Sequence, residues 1–97
     1  MPTYVSLINW TDQGIRNVRK TLERGAAAQQ VAEKHGGRIE QVYWTLGPYD
    51  IVIIAEAPDD ESVTAAPLEL GSLGNVRTTT LRAYDREEMS SILERLG

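Results

Sequence analysis

The sequence predicts an α+β domain laid out as β-α-β-β-α-β with one more helix at the C-terminus. Three observations carry that order. Short runs rich in β-branched and aromatic residues alternate with stretches patterned as helices. The two middle runs are separated only by Gly47-Pro48-Tyr49-Asp50, a segment suited to chain reversal, so they pair antiparallel. The 97 residues hold no interior linker or repeat, which fits one domain over 1–97.

Taken in order, Tyr4 to Trp10 is a strand, with Tyr, Val, Leu, Ile and Trp in a short span. Thr11-Asp12 stops it and caps a helix. From Asp12 to about His35 the pattern is helical: Ile15, Val18 and Leu22 recur at helix spacing, an alanine-rich middle comes next, and Gly36-Gly37 ends it. Gly14 and Gly25 each cost this helix a little, and Gly25 beside Ala26-Ala27-Ala28 reads as close packing against a sheet. Arg38–Leu46 and Ile51–Ala57 form the hairpin. Pro58-Asp59-Asp60-Glu61 opens a second helix, with acids favoured at its positive end, and Pro67 is expected to kink or shorten it. Gly71–Asn75 is a loop and Val76–Tyr84 the last strand. Asp85-Arg86-Glu87-Glu88 is an acidic capping box that starts a short terminal helix, Glu87–Leu96.

That order is the ferredoxin-like split-βαβ arrangement, a four-stranded antiparallel sheet with both long helices on one face. The other face is left open, and a second copy packed sheet to sheet would cover it and leave a chamber between. Hairpin parity assigns the faces. With a loop of two or four residues, Tyr43 and Thr45 share a face with Asp50, Val52, Ile54 and Glu56, while Val42 and Trp44 join Ile51, Ile53 and Ala55. The wholly apolar set belongs under the helices. On the first strand Val5 and Leu7 read as helix-facing, which turns Ser6, Ile8 and Trp10 to the open side. On the last strand the open face takes either Arg77, Thr79 and Leu81 or Thr78, Thr80 and Arg82, and the first set is preferred.

Composition narrows function more than it names it. The chain is 41% hydrophobic and 25% charged, as folded domains are. A net charge of −4 lacks the basic footprint of a nucleic-acid binder. No cysteine is present, which excludes disulfides, thiolate metal sites and thiol catalysis. No apolar run reaches membrane-span length, and Met1-Pro2-Thr3-Tyr4 begins a strand rather than a signal peptide, so the expected location is cytoplasmic. One histidine and no nucleotide fingerprint lead us to expect no cofactor and no metal.

Several separated motifs carry a resemblance. Thr45-Leu46-Gly47-Pro48-Tyr49-Asp50, Glu56-Ala57-Pro58-Asp59-Asp60 and Gly74-Asn75-Val76-Arg77-Thr78-Thr79-Thr80-Leu81-Arg82-Ala83, with Tyr4 and Thr11-Asp12-Gln13-Gly14, resemble the GYD domain family of small bacterial and archaeal proteins. The resemblance implies a ferredoxin-like fold of the dimeric α/β barrel type, with no assigned activity. Pro67 departs from the pattern, where a helix former is expected.

Candidate site residues lie on the open face: Tyr43, Thr45, Glu56, Arg77 and Thr79, with Tyr49 and Asp50 at its mouth. Glu56 reads as a ligand carboxylate or base, or as a rim carboxylate paired with an arginine such as Arg77. Asp50 positions a ligand, or bonds local amides as turn aspartates do. The tyrosines offer hydroxyls or simply pack. His35 suits a helix C-terminus. Three functions fit: a homodimeric module (or higher homo-oligomer) that binds a small organic ligand, a cofactor-free monooxygenase or isomerase by fold analogy, and a structural interaction domain.

Overall fold

The computed structural model describes Met1–Gly97 as β1 (Thr3–Trp10), α1 (Asp12–Arg16), a 3₁₀ turn (Val18–Lys20), α2 (Thr21–Lys34), β2 (Arg38–Trp44), β3 (Ile51–Glu56), α3 (Asp60–Ser72), β4 (Val76–Ala83) and α4 (Arg86–Glu94). The four strands form one sheet in the order β2-β3-β1-β4, every neighbouring pair antiparallel. This is the ferredoxin-like α+β arrangement, and no helix is long and apolar enough to cross a membrane.

Hairpin parity holds. Tyr43 pairs with Val52 and Trp44 with Ile51, and the Thr45 amide donates to the Asp50 carbonyl, closing a four-residue loop. A bulge falls at Glu40, below the stretch that parity governs. Gly47 takes φ 123°, a conformation that disfavours any side chain.

The first strand faces the other way from the expectation. Tyr4 and Ile8 are buried on the helix side with Ser6 and Trp10, and Ile8 forms the core with Ile51 and Ile53, flanked by Val42 and Val76. Val5 and Leu7 therefore lie on the open face. Both sets are apolar, so alternation along β1 does not discriminate between them; the register against Ile54 and Val52 does.

The helical stretch after Thr11 is not continuous. Thr11 caps α1 by accepting from the Gly14 amide, and the helix then stops at Asn17 before α2 begins. Ile15 and Leu22 are exposed and α2 buries Ala28, so the helix-spaced trio does not mark the core. Gly25 is not a close contact either: a Cβ there would meet only the Trp44 ring at 4.0 Å. The close approach belongs to Gly14, where a Cβ would sit 2.0 Å from the Asn75 carbonyl oxygen. Pro67 leaves α3 running on to Ser72, because the donor it lacks costs one bond in a helix capped at Asp59 and packed on α2.

Candidate functional site

The uncovered sheet face is ordered in rows across the strands. One row is Gln41, Ile54, Val5 and Leu81, and the next is Tyr43, Val52, Leu7 and Thr79. Beyond the first lie Arg38, Glu56, Thr3 and Ala83, and beyond the second lie Asn9 and Arg77 with the hairpin loop. An apolar centre is thus bounded by polar groups at both ends, the anatomy of a protein interface. Tyr43 is 53% exposed and Leu81 48%.

The candidate residues separate along this face. Tyr43 and Thr79 share a row, on opposite edge strands. Glu56 stands at one end and Arg77 at the other, six residues away along β1, which is about 20 Å. Glu56 is reached instead by Arg38, Nη2 to Oε1 3.6 Å, while Arg38 Nε donates to Glu40 at 2.7 Å. Arg77 makes no ion pair within the chain. Tyr43 donates to Gln41 Oε1 at 3.2 Å.

At the hairpin tip the polar groups serve the backbone. Asp50 Oδ2 accepts from the Trp10 amide at 2.9 Å and the Asp50 amide donates to the Ile8 carbonyl at 2.9 Å, which clamps the loop onto the end of β1. Thr45 donates to the Tyr49 carbonyl at 2.6 Å. His35 caps α2 and its Nε2 lies 3.1 Å from Glu69 Oε1, which Lys34 also holds at 3.0 Å; these contacts, Lys34 first, keep the Glu69 carboxyl below its ordinary range.

A second concavity, which reading the strands alone does not reveal, lies on the helix side between α3 and β4. This groove of about 830 Å³ is floored by Val76, Thr78, Thr80 and Arg82 and walled by Pro67 and Leu68. At one end Tyr4, 3% exposed, donates to Asp60 Oδ1 at 2.7 Å. That bond, then burial, raises the phenol's pKa. Arg82 sits over the Tyr4 and Tyr84 rings and donates to Glu88 Oε2 at 2.6 Å, raising its own pKa and lowering that of Glu88. The signal for this end is the Arg82–Glu88 spacing across the capping box, visible only once the box is known to start a helix.

The chain can be set beside known proteins. A curated relative from Thermus thermophilus, "Glutamine synthetase and cystathionine beta-lyase binding protein", is 42% identical over 84 residues, covering 86% of this chain and 88% of the relative. The crystal structure of TTHA0845, also from Thermus thermophilus, is similar with a TM-score of 0.56 and 27% identity, over 89% of this chain and all of that one. The family model described as GYD domain matches residues 4–93. With nearly the whole chain matched and the fold in agreement, the protein belongs to the GYD domain family.

Proposed function

We infer that this chain is a non-catalytic interaction module that pairs with itself through the open sheet face, in the manner of a dimeric α/β barrel, and docks onto other proteins. The observation that carries this reading is the apolar centre with polar ends on an uncovered sheet: Val5, Leu7, Val52, Ile54, Leu81 and Tyr43. Only 7 of 97 residues are buried, so a single copy leaves much of its apolar surface in water and a second copy would remove it. The relative named for binding glutamine synthetase and cystathionine beta-lyase supports enzymes of that kind as partners.

Light scattering tests the self-association: at micromolar concentration the mass is that of a dimer or larger. Ile54→Asp places a charge in the apolar centre and lowers the mass to a monomer. A wild-type monomer, or an assembly indifferent to Ile54→Asp, refutes the pairing. Calorimetric titration with each purified enzyme tests the docking; saturable binding is expected, and none with either enzyme refutes it.

A second reading is favoured by Arg77, which has no ion-pair partner, and Thr79, both open on the same face. Paired sheets would then hold a small organic ligand against Tyr43, Thr45, Glu56, Arg77 and Thr79, with Tyr49 and Asp50 at the mouth. Tyr43→Phe and Glu56→Gln would change the affinity for that ligand with folding intact.

A further inference from the structure

Beneath α2 the helix layer does not fill the space above the sheet. A cavity of about 130 Å³ remains, lined by the core residues Ile8, Ile51 and Ile53, by the rings of Trp10 and Trp44, and by Leu70 of α3. Leu73, 61% exposed, and Trp44, 43% exposed, also line it, so the cavity reaches the surface beside them. An apolar cavity of about 150 Å³ stays dry and takes up benzene, so this one has room for a single small ring.

Small residues on α2 make that room. Gly25, Ala27 and Ala28 all line the cavity. Glycine is disfavoured inside a helix, yet no neighbour demands it at position 25, where an added Cβ would meet only the Trp44 ring at 4.0 Å. Gly25 thus weakens its helix, relieves no contact and keeps the cavity open. Choices that work against local stability in this way collect at functional sites.

One polar atom of the lining residues is unused. Trp10 Nε1 is buried without an acceptor, the one side-chain nitrogen or oxygen in the chain so placed. Buried indole N–H groups ordinarily find a partner. The residue is pinned where it stands, its amide donating to Asp50 and its backbone paired with Val76. Other polar residues of the lining are engaged: Thr21 accepts from Trp44 Nε1 at 3.0 Å, Asn75 Oδ1 accepts from Gln13 at 3.0 Å, and Arg24 donates to the carbonyls of Asn17 and Gly14 at 2.9 and 3.2 Å. A buried water makes about three hydrogen bonds, which one free donor does not supply.

We propose that this cavity binds a neutral, ring-sized organic molecule with one carbonyl-type acceptor, its ring against Ile8, Ile51 and Ile53 and its oxygen accepting from Trp10 Nε1. An anion is not expected, because Arg24, the cation in the lining, already faces two backbone carbonyls. The site lies on the far side of the sheet from Tyr43 and Thr79, and its occupancy does not depend on the pairing of two chains.

The chain's two tryptophans supply the readout, one indole N–H each. Cyclopentanone, with the heavy-atom count of benzene and one acceptor, is titrated into the nitrogen-15-labelled chain, and Trp44→Phe assigns the two indole resonances. The Trp10 indole resonance is expected to move saturably, its proton downfield, while that of Trp44, already bonded to Thr21, moves less. Methylenecyclopentane, the same shape without the acceptor, binds about tenfold more weakly, because it leaves the buried donor unpaired. Cyclopropanecarboxylate does not saturate the site. Gly25→Leu fills the cavity and abolishes the response, with the fold checked by circular dichroism. Ile54→Asp, on the opposite face of the sheet, leaves the titration unchanged. A Trp10 resonance that does not move overturns the proposal, as does equal wild-type affinity for ketone and hydrocarbon. So do carboxylate binding as tight as that of the ketone, an undiminished response in folded Gly25→Leu, and loss of the response in Ile54→Asp.

Discussion

Replacing Gly14 with alanine sets two effects against each other, and the structure gives their sizes. In an exposed helix, glycine to alanine stabilises by about 0.8–1 kcal/mol. At Gly14 the added Cβ lands 2.0 Å from the Asn75 carbonyl oxygen and 3.0 Å from its carbon, both backbone atoms. The loop must move by more than about 1 Å to restore contact distance, and such overpacking costs about 1–3 kcal/mol. That shift also pulls on two bonds, Thr11 amide to Asn75 carbonyl at 3.1 Å and Thr11 hydroxyl to Gly74 carbonyl, each contributing about 0.5–1.5 kcal/mol. The net is destabilisation by about 1–5 kcal/mol. Gly25→Ala is the matched control: its Cβ meets only a ring carbon at 4.0 Å, so the helix gain of about 0.5–1 kcal/mol survives. Urea denaturation monitored by far-UV circular dichroism, at one fixed protein concentration, reads both. Shifts of opposite sign are expected. A stabilised Gly14→Ala, or two shifts of the same sign, would refute the close-approach argument.

Three other outcomes rest on the geometry. Asp50→Ala removes the acceptor of the Trp10 amide and should destabilise by about 1–3 kcal/mol, with faster hydrogen exchange at Trp10; unchanged exchange there would show that the clamp is not formed in solution. Tyr4→Phe should lose about 1 kcal/mol at neutral pH. Because the folded phenol's pKa is raised, that contribution is present in full below pH about 10 and fades above it, so wild type and variant converge in alkaline denaturation curves; parallel curves would sink the assignment. Asp59, Glu69 and Glu88 have lowered pKa values, from the Ser62 amide, Lys34 and Arg82 respectively, so stability falls as pH drops through the ordinary carboxylate range and below; Glu69→Gln should flatten part of that acid limb.

Legibility in the sequence tracks locality. The hairpin parity and the capping box rest on neighbours a few residues apart, and the structure agrees with them, whereas the face of β4, open to two alternatives in the sequence, is decided by its pairing with β1. The orientation of β1 rests on register against strands far along the chain, and with Tyr4 and Ile8 on one side and Val5 and Leu7 on the other its alternation is mute. Gly14 reads as a mild defect because Asn75, the residue that needs it small, is distant in sequence. Likewise the shape of Gly47–Asp50 is readable, but the Trp10 amide that engages Asp50 is not. Glu56 and Arg77, both correctly placed on one face, lie at opposite ends of it, a separation only the strand register reveals.

The position of β1 between β3 and β4 has a kinetic side. Its residues pair with Ile51–Glu56 on one edge and Val76–Ala83 on the other, so the earliest of the four strands to leave a ribosome receives its final neighbour last. Loop-closure entropy must be met before those long-range pairings stabilise anything, whereas the β2–β3 hairpin needs only its four-residue loop. Until β4 arrives, one edge of β1 stands unpaired, and the same hydrogen-bonding groups that complete the sheet are open to the β4 of another nascent chain.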